Sequence, residues 1–108
     1  MSTIAEMIIE EAKQDAEVAR DKAVAKYGDT YPCGFAWIAI NPARGEFVKY
    51  CKKNRIGRKG YPKGWHISVH DFAKWNGQNM MVKEEIASAA AKVLQSHGIN
   101  AYAASRID

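Results

Sequence analysis

The chain has few cysteines, no long apolar run and, over one stretch, almost no acid. Each absence excludes something. Only Cys33 and Cys51 are present, without Cys-x-x-Cys spacing, so a disulfide framework is out of character and free thiols are expected. No uncharged apolar run approaches the roughly 18 residues of a membrane span. Glu6, Glu10 and Glu11 stud the first residues, unlike a signal peptide. A cytoplasmic protein with no membrane partner is therefore expected. Neither a metal nor a cofactor is expected, because no ligand pair has zinc-type spacing. His66 and His70, four apart on one strand, would lie about 13 Å from each other.

The missing acid matters most. Between Arg44 and Lys63 stand Arg44, Lys49, Lys52, Lys53, Arg55, Arg58, Lys59 and Lys63 against the single Glu46. Half of the 16 Lys and Arg residues fall in that segment, whereas residues 1–29 carry seven acids and four bases. The formal net charge of +4 is thus unevenly spread. The segment runs into Gly57-Arg58-Lys59-Gly60-Tyr61-Pro62-Lys63-Gly64-Trp65, in which glycines and aromatics interleave with the bases. Backbone phosphate is the commonest polyanion that such a loop meets.

With 108 residues, 47% apolar and 26% charged, the chain reads as one globular domain over 1–108. An N-terminal helix occupies 1–28 and an α+β core 33–108. Thr3 and Glu6 have the form of a capping box, and Ile4, Ile8, Ala12, Ala16, Ala19, Ala23 and Tyr27 recur at helical spacing up to Gly28. About 24 helical residues span roughly 36 Å, long for this domain, so a homodimer through this helix is expected. Phe35 to Ile40 is an uncharged strand, and Asn41-Pro42 reads as the N-cap and first residue of a short helix ending at Gly57. Trp65 to Phe72 alternates as a strand, and Asn76-Gly77 signals a hairpin to a return strand at Gln78 to Val82. That last segment can equally open the helix that follows. Ile86, Ala89, Ala90, Val93 and Leu94 mark this helix, Gly98 caps it, and Asn100 to Ile107 is a final strand. The order βαββαβ predicts a ferredoxin-like antiparallel sheet with two helices on one face.

If Ala36, Ile38 and Ile40 face the helices, Phe35 and Trp37 face away from them, with His66, Ser68, His70, Tyr102 and Arg106 on the neighbouring strands. Aromatics and bases on an open sheet face suit single-stranded nucleic acid. The competing reading packs Phe35 and Trp37 beneath the N-terminal helix. Gly57-Arg58-Lys59-Gly60 resembles the Gly-x-x-Gly clamp of KH domains, but Tyr61-Pro62 cannot continue as the helix that such a loop enters. The alanine-rich last helix resembles that of double-stranded-RNA-binding domains, although a strand follows it here. His66 and His70 are eligible general bases, and Asp71 and Asp108 are the acids that could support them. No motif sets a Ser, Cys or carboxylate beside them, so no enzyme is expected.

Pro32-Cys33-Gly34-Phe35-Ala36-Trp37, the Gly57 to Trp65 loop, Gly98 to Tyr102 and Ser105-Arg106-Ile107-Asp108 together resemble a group of small proteins encoded by tailed bacteriophages. The resemblance covers residues 31–108. It implies a phage origin and action in the cytoplasm of an infected host, and it transfers no activity to any residue. The expectation is a non-enzymatic nucleic-acid-binding protein, for DNA or RNA. Its contacts would be Arg44, Lys49, Lys52, Lys53, Arg55, Arg58, Lys59, Tyr61, Lys63, Trp65 and His66. The alternative is a phage-encoded protein that binds and modulates a host protein.

Overall fold

A computed structural model describes residues 4–28, 33–60, 63–75, 77 and 79–107. Helix α1 spans Ile4–Tyr27, followed by strand β1 (Gly34–Ile40), helix α2 (Glu46–Lys53), and the short strands β2 (Arg58–Lys59) and β3 (Trp65–Ser68). A 3-10 turn at Val69–Asp71, helix α3 (Met80–Ser96) and strand β4 (Ala101–Ile107) complete the chain. The fold is α+β: a four-stranded antiparallel sheet in the order β2-β3-β1-β4, with three helices.

Strand β1 is central because both of its neighbours can cover it. Its helix-facing residues Ala36, Ile38 and Ile40 are buried, and Ile38 is fully so. They meet Ile67, Ala101, the Phe47-Val48-Cys51 side of α2, and Val82, Ile86 and Leu94 of α3 in one core. α3 is apolar on nearly every side because it is sandwiched, with the sheet on one side and α1 on the other. Its alanines let α1 approach closely. α1 buries Ile8, Ile9, Ala12, Ala16 and Ala23 within the chain and leaves Ile4, Met7 and Val18 exposed. The helix runs along a molecule whose longest extent is 39 Å, which accommodates its full length. Ile4 is exposed and Ile9 buried, a small rotation of the expected stripe. Thr3 of the expected capping box lies outside the described residues.

Three expected elements are placed differently. α2 begins at Glu46 instead of Pro42. Asn41 to Arg44 form a turn closed by Arg44 N–H to Pro42 O at 2.9 Å, and Gly45 has φ 101° and ψ 170°, which no α-helix passes through. The strand from Trp65 stops at Ser68, whose side chain accepts from His70 N–H and caps the 3-10 turn. His70 therefore leaves the sheet face. Among the described residues 79–82 no return strand is present: the Asn79 side chain accepts from Met81 N–H as the N-cap of α3, which starts at Met80. Asn76 and Gln78 lie outside the described residues. The hairpin is instead β2–β3, drawn from the basic loop, with Arg58 opposite His66 and Lys59 opposite Trp65.

Candidate nucleic-acid interface

Register decides which side chains share the face away from the helices. Strand residues alternate, so Phe35, Trp37 and Ala39 point away from Ile38 and Ile40. Cross-strand pairing aligns them in rows. Phe35 stands opposite Arg106, Trp37 between Ser68 and Ala104, and Ala39 between His66 and Tyr102. Arg58 extends the last row from the edge. Of these, Phe35, Trp37, Arg58, His66, Ser68 and Arg106 line a shallow groove of about 900 Å³ together with Arg55, Lys59 and Asp71. No α1 residue lines it, and Phe35 is 46% exposed. Phe35 and Trp37 therefore do not lie beneath the N-terminal helix.

Two glycines let the hairpin reach this face. Gly57 has φ 85°, and a Cβ there would stand 2.6 Å from the His66 carbonyl and from Trp65 Nε1. Gly60 leaves room for the His66 ring, whose Nε2 would be 2.6 Å from an added Cβ. The His66 ring centroid lies 5.6 Å from that of Trp37, tilted by 34°. Burial, and next the Arg58 guanidinium, hold the His66 pKa below its ordinary value. The imidazole is thus neutral near pH 7 and leaves the Arg58 charge uncancelled. Trp37 Nε1 is buried without a hydrogen-bond partner, alone in that respect among the buried side-chain polar atoms of the described residues. The Arg106 guanidinium lies 5.7 Å from the Phe35 ring centroid. Lys83 Nζ, donating to Gly34 O at 2.8 Å, lies 5.3 Å from that centroid.

The four cations of the groove, Arg55, Arg58, Lys59 and Arg106, have no carboxylate within ion-pair distance among the described residues. Asp71 is the only acid on the lining, and burial raises its pKa while His70 and Lys13 act against that shift. An arrangement of this kind attracts a polyanion and offers ring faces to flat groups.

The expected contacts divide accordingly. Arg55, Arg58, Lys59 and His66 come together on the groove. Lys49 lies on α2, 3.6 Å from Glu46, and Lys52 donates to Ala43 O at 3.3 Å while covering the Trp65 ring. Arg44 lines a separate, largely apolar recess with Ile4, Pro42 and Ile99. Trp65 serves the fold, its indole N–H donating to Ile56 O at 2.9 Å on the helix side. Lys53 and Lys63 are exposed and off the lining, and Tyr61 lies outside the described residues. Arg106 belongs to the site although it stands 43 positions from Lys63 in sequence; strand alternation, rather than local charge density, is the signal that finds it. Cys51 is inert, since burial first and Asp71 second push its thiol up to about 12. Compared with known proteins, the chain matches no family model, and no curated protein or solved structure matches it.

Proposed function

We propose that the protein binds nucleic acid on the open face of its sheet, as a binding protein and not as an enzyme. One observation carries the reading: four unpaired cations converge around Phe35 and Trp37 on a groove lined by no residue of α1, α2 or α3. Phosphates would sit along Arg55, Arg58, Lys59 and Arg106, and bases would stack on Phe35 with Trp37 beneath. The element order β1-α2-β2-β3-α3-β4 supports a ferredoxin-like description, with a second strand cut to two residues. Phage origin rests on the sequence resemblance alone. The test is fluorescence anisotropy of a labelled oligonucleotide of about 10 residues, within the site sizes of such faces. Association that weakens as salt is added is expected; its absence at low ionic strength overturns the proposal.

A protein partner is the second reading, favoured by the exposed Ile4, Met7 and Val18 of α1. Affinity capture from nuclease-treated bacterial lysate tests it, and loss of every captured protein on nuclease treatment rejects it.

A further inference from the structure

The sheet ends in an open edge at β4, which pairs only with β1. The phase of that ladder is fixed by Asn41 N–H donating to Asn100 O at 3.2 Å, one step beyond the Ile40–Ala101 pair. Antiparallel ladders alternate bonded and non-bonded pairs. Tyr102, Ala104 and Arg106 therefore turn their backbone groups toward β1, and Ala101, Ala103, Ser105 and Ile107 turn theirs outward. At Ala101 the edge is already closed, since its N–H donates to Ile99 O at 2.9 Å and its C=O accepts from Gln95 Nε2 at 2.7 Å, whereas no hydrogen bond given for the described residues meets the outward backbone groups of Ala103 and Ser105. The strand carries none of the usual guards: it has no proline, no lysine and no bulge, and Arg106 is its one charge.

We propose that a second copy of this chain pairs along β4, antiparallel about a two-fold axis at Ala104, joining two four-stranded sheets into one. This centre sets Ala103 opposite the partner's Ser105 and Ala101 opposite the partner's Ile107. Those are the outward-turned residues, and the free N–H and C=O groups of Ala103 and Ser105 meet those of the second copy on both sides of the axis. The non-bonded pairs, whose Cα atoms approach to about 4.5 Å, are Ala104 with its own copy and Tyr102 with the partner's Arg106. Tyr102, 49% exposed, and Arg106 both stand on the open face, where Arg106 already lies against the Phe35 ring. Pairing supplies it with a second ring. Ile107, 68% exposed, gains a neighbour on the helix side. Centring at Ala103 or Ser105 overlaps fewer residues and loses the ring–guanidinium contact. The open faces of the two copies then run on across the join. That consequence rests on the nucleic-acid reading; the pairing itself does not.

Sedimentation equilibrium without nucleic acid tests the pairing. A reversible dimer is expected. Ala103→Pro removes an outward N–H while sparing the β1 ladder, and should raise the dimer dissociation constant at least about tenfold, since each copy loses a donor. Ala104→Cys places two thiols within disulfide reach, so mild oxidation should give a dimer on a non-reducing gel, while the wild type with Cys33 and Cys51 stays uncrosslinked. Val18→Cys, exposed on α1, reports pairing through that helix instead. A wild type that stays monomeric at roughly 100 μM, or crosslinking through Val18→Cys in place of Ala104→Cys, overturns the proposal. If Ala103→Pro loses its fold by circular dichroism, the crosslink decides. Oligonucleotide binding is measured separately, so failure there leaves this result readable.

Discussion

Replacing Arg58 with Gln separates the groove from the rest of the basic segment. Arg58 lies exposed on the edge strand β2, and its backbone, not its side chain, pairs with His66. The substitution therefore leaves the core untouched. Each cation that neutralises a phosphate of a single strand contributes about −0.7 to the slope of log affinity against log salt. Four groove cations give about −2.8, or about a fifty-fold loss of affinity when salt rises fourfold. Without Arg58 the slope should fall to about −2.1 and the loss to about eighteen-fold. Lys49→Gln is the matched control. It removes the same charge from the same basic segment, but from a side chain 74% exposed on α2, beside Glu46 and off the groove. Its slope should stay at the wild-type value. Anisotropy titrations over the same salt series read both variants. Equal slopes for Arg58→Gln and Lys49→Gln would refute the groove as the site and return the binding to the whole basic segment.

Other consequences follow from burial and charge. Ile38→Ala, in the fully buried centre of β1, should cost about 2–5 kcal/mol in urea denaturation, whereas Phe35→Ala on the open face should cost less than about 1 kcal/mol yet weaken oligonucleotide binding. A Phe35→Ala protein that binds normally removes that ring from the site. Iodoacetamide should alkylate Cys33 in the native protein and spare Cys51, whose thiol titrates near 12; mass spectrometry showing Cys51 modified first would contradict the core described here. Because the His66 pKa is lowered from 6.5, the folded state binds fewer protons than the unfolded chain as pH falls through that value. Stability tied to His66 is complete above pH 6.5 and is lost progressively below it. His66→Gln should flatten Tm against pH in that window, and an unchanged slope would assign the loss to another group.

Much of this arrangement is legible in the sequence because two periodicities carry it. Helical spacing marks α1 and α3, and alternation along Phe35 to Ile40 and Ala101 to Ile107 marks the long strands with their faces. Alternation groups Phe35, Trp37, His66, Ser68, His70, Tyr102 and Arg106 on one surface, from which His70 departs because β3 ends at Ser68 and the 3-10 turn follows. Local signals fail where tertiary pairing competes with them. Asn41-Pro42 looks like a helix start, yet Gly45 takes a conformation that delays the helix to Glu46. Asn76-Gly77 looks like a hairpin, yet Asn79 caps α3 and the described residues from Met80 on are helical. Arg58 and Lys59 have no strand signal of their own and become β2 because β3 offers them an edge. Charge density likewise misplaces part of the site. Arg44, Lys49 and Lys52 are close to Arg58 in sequence but lie on the turn before α2 and on α2 itself, with neighbours of their own.

The segregation of charge along the chain becomes a segregation through the molecule. α1 bears six of the seven acids found before residue 30 and packs on α3, on the far side of the helical layer from the groove. No residue of α1 lines the groove, and no α1 carboxylate lies within ion-pair distance of a groove cation among the described residues. At physiological salt the Debye length is about 8 Å, and exposed charges farther apart than that are largely screened. The acids of α1 therefore moderate the net charge without cancelling the field of Arg55, Arg58, Lys59 and Arg106. A net charge of +4 understates what a phosphate chain meets on this face, where four cations stand with Asp71 as the one acid. Within the groove the charge is also local enough to set orientation. On the proposed function, a strand arriving at the sheet face would be drawn in by the cations around Phe35 and Trp37, whereas one arriving at α1 would meet carboxylates first.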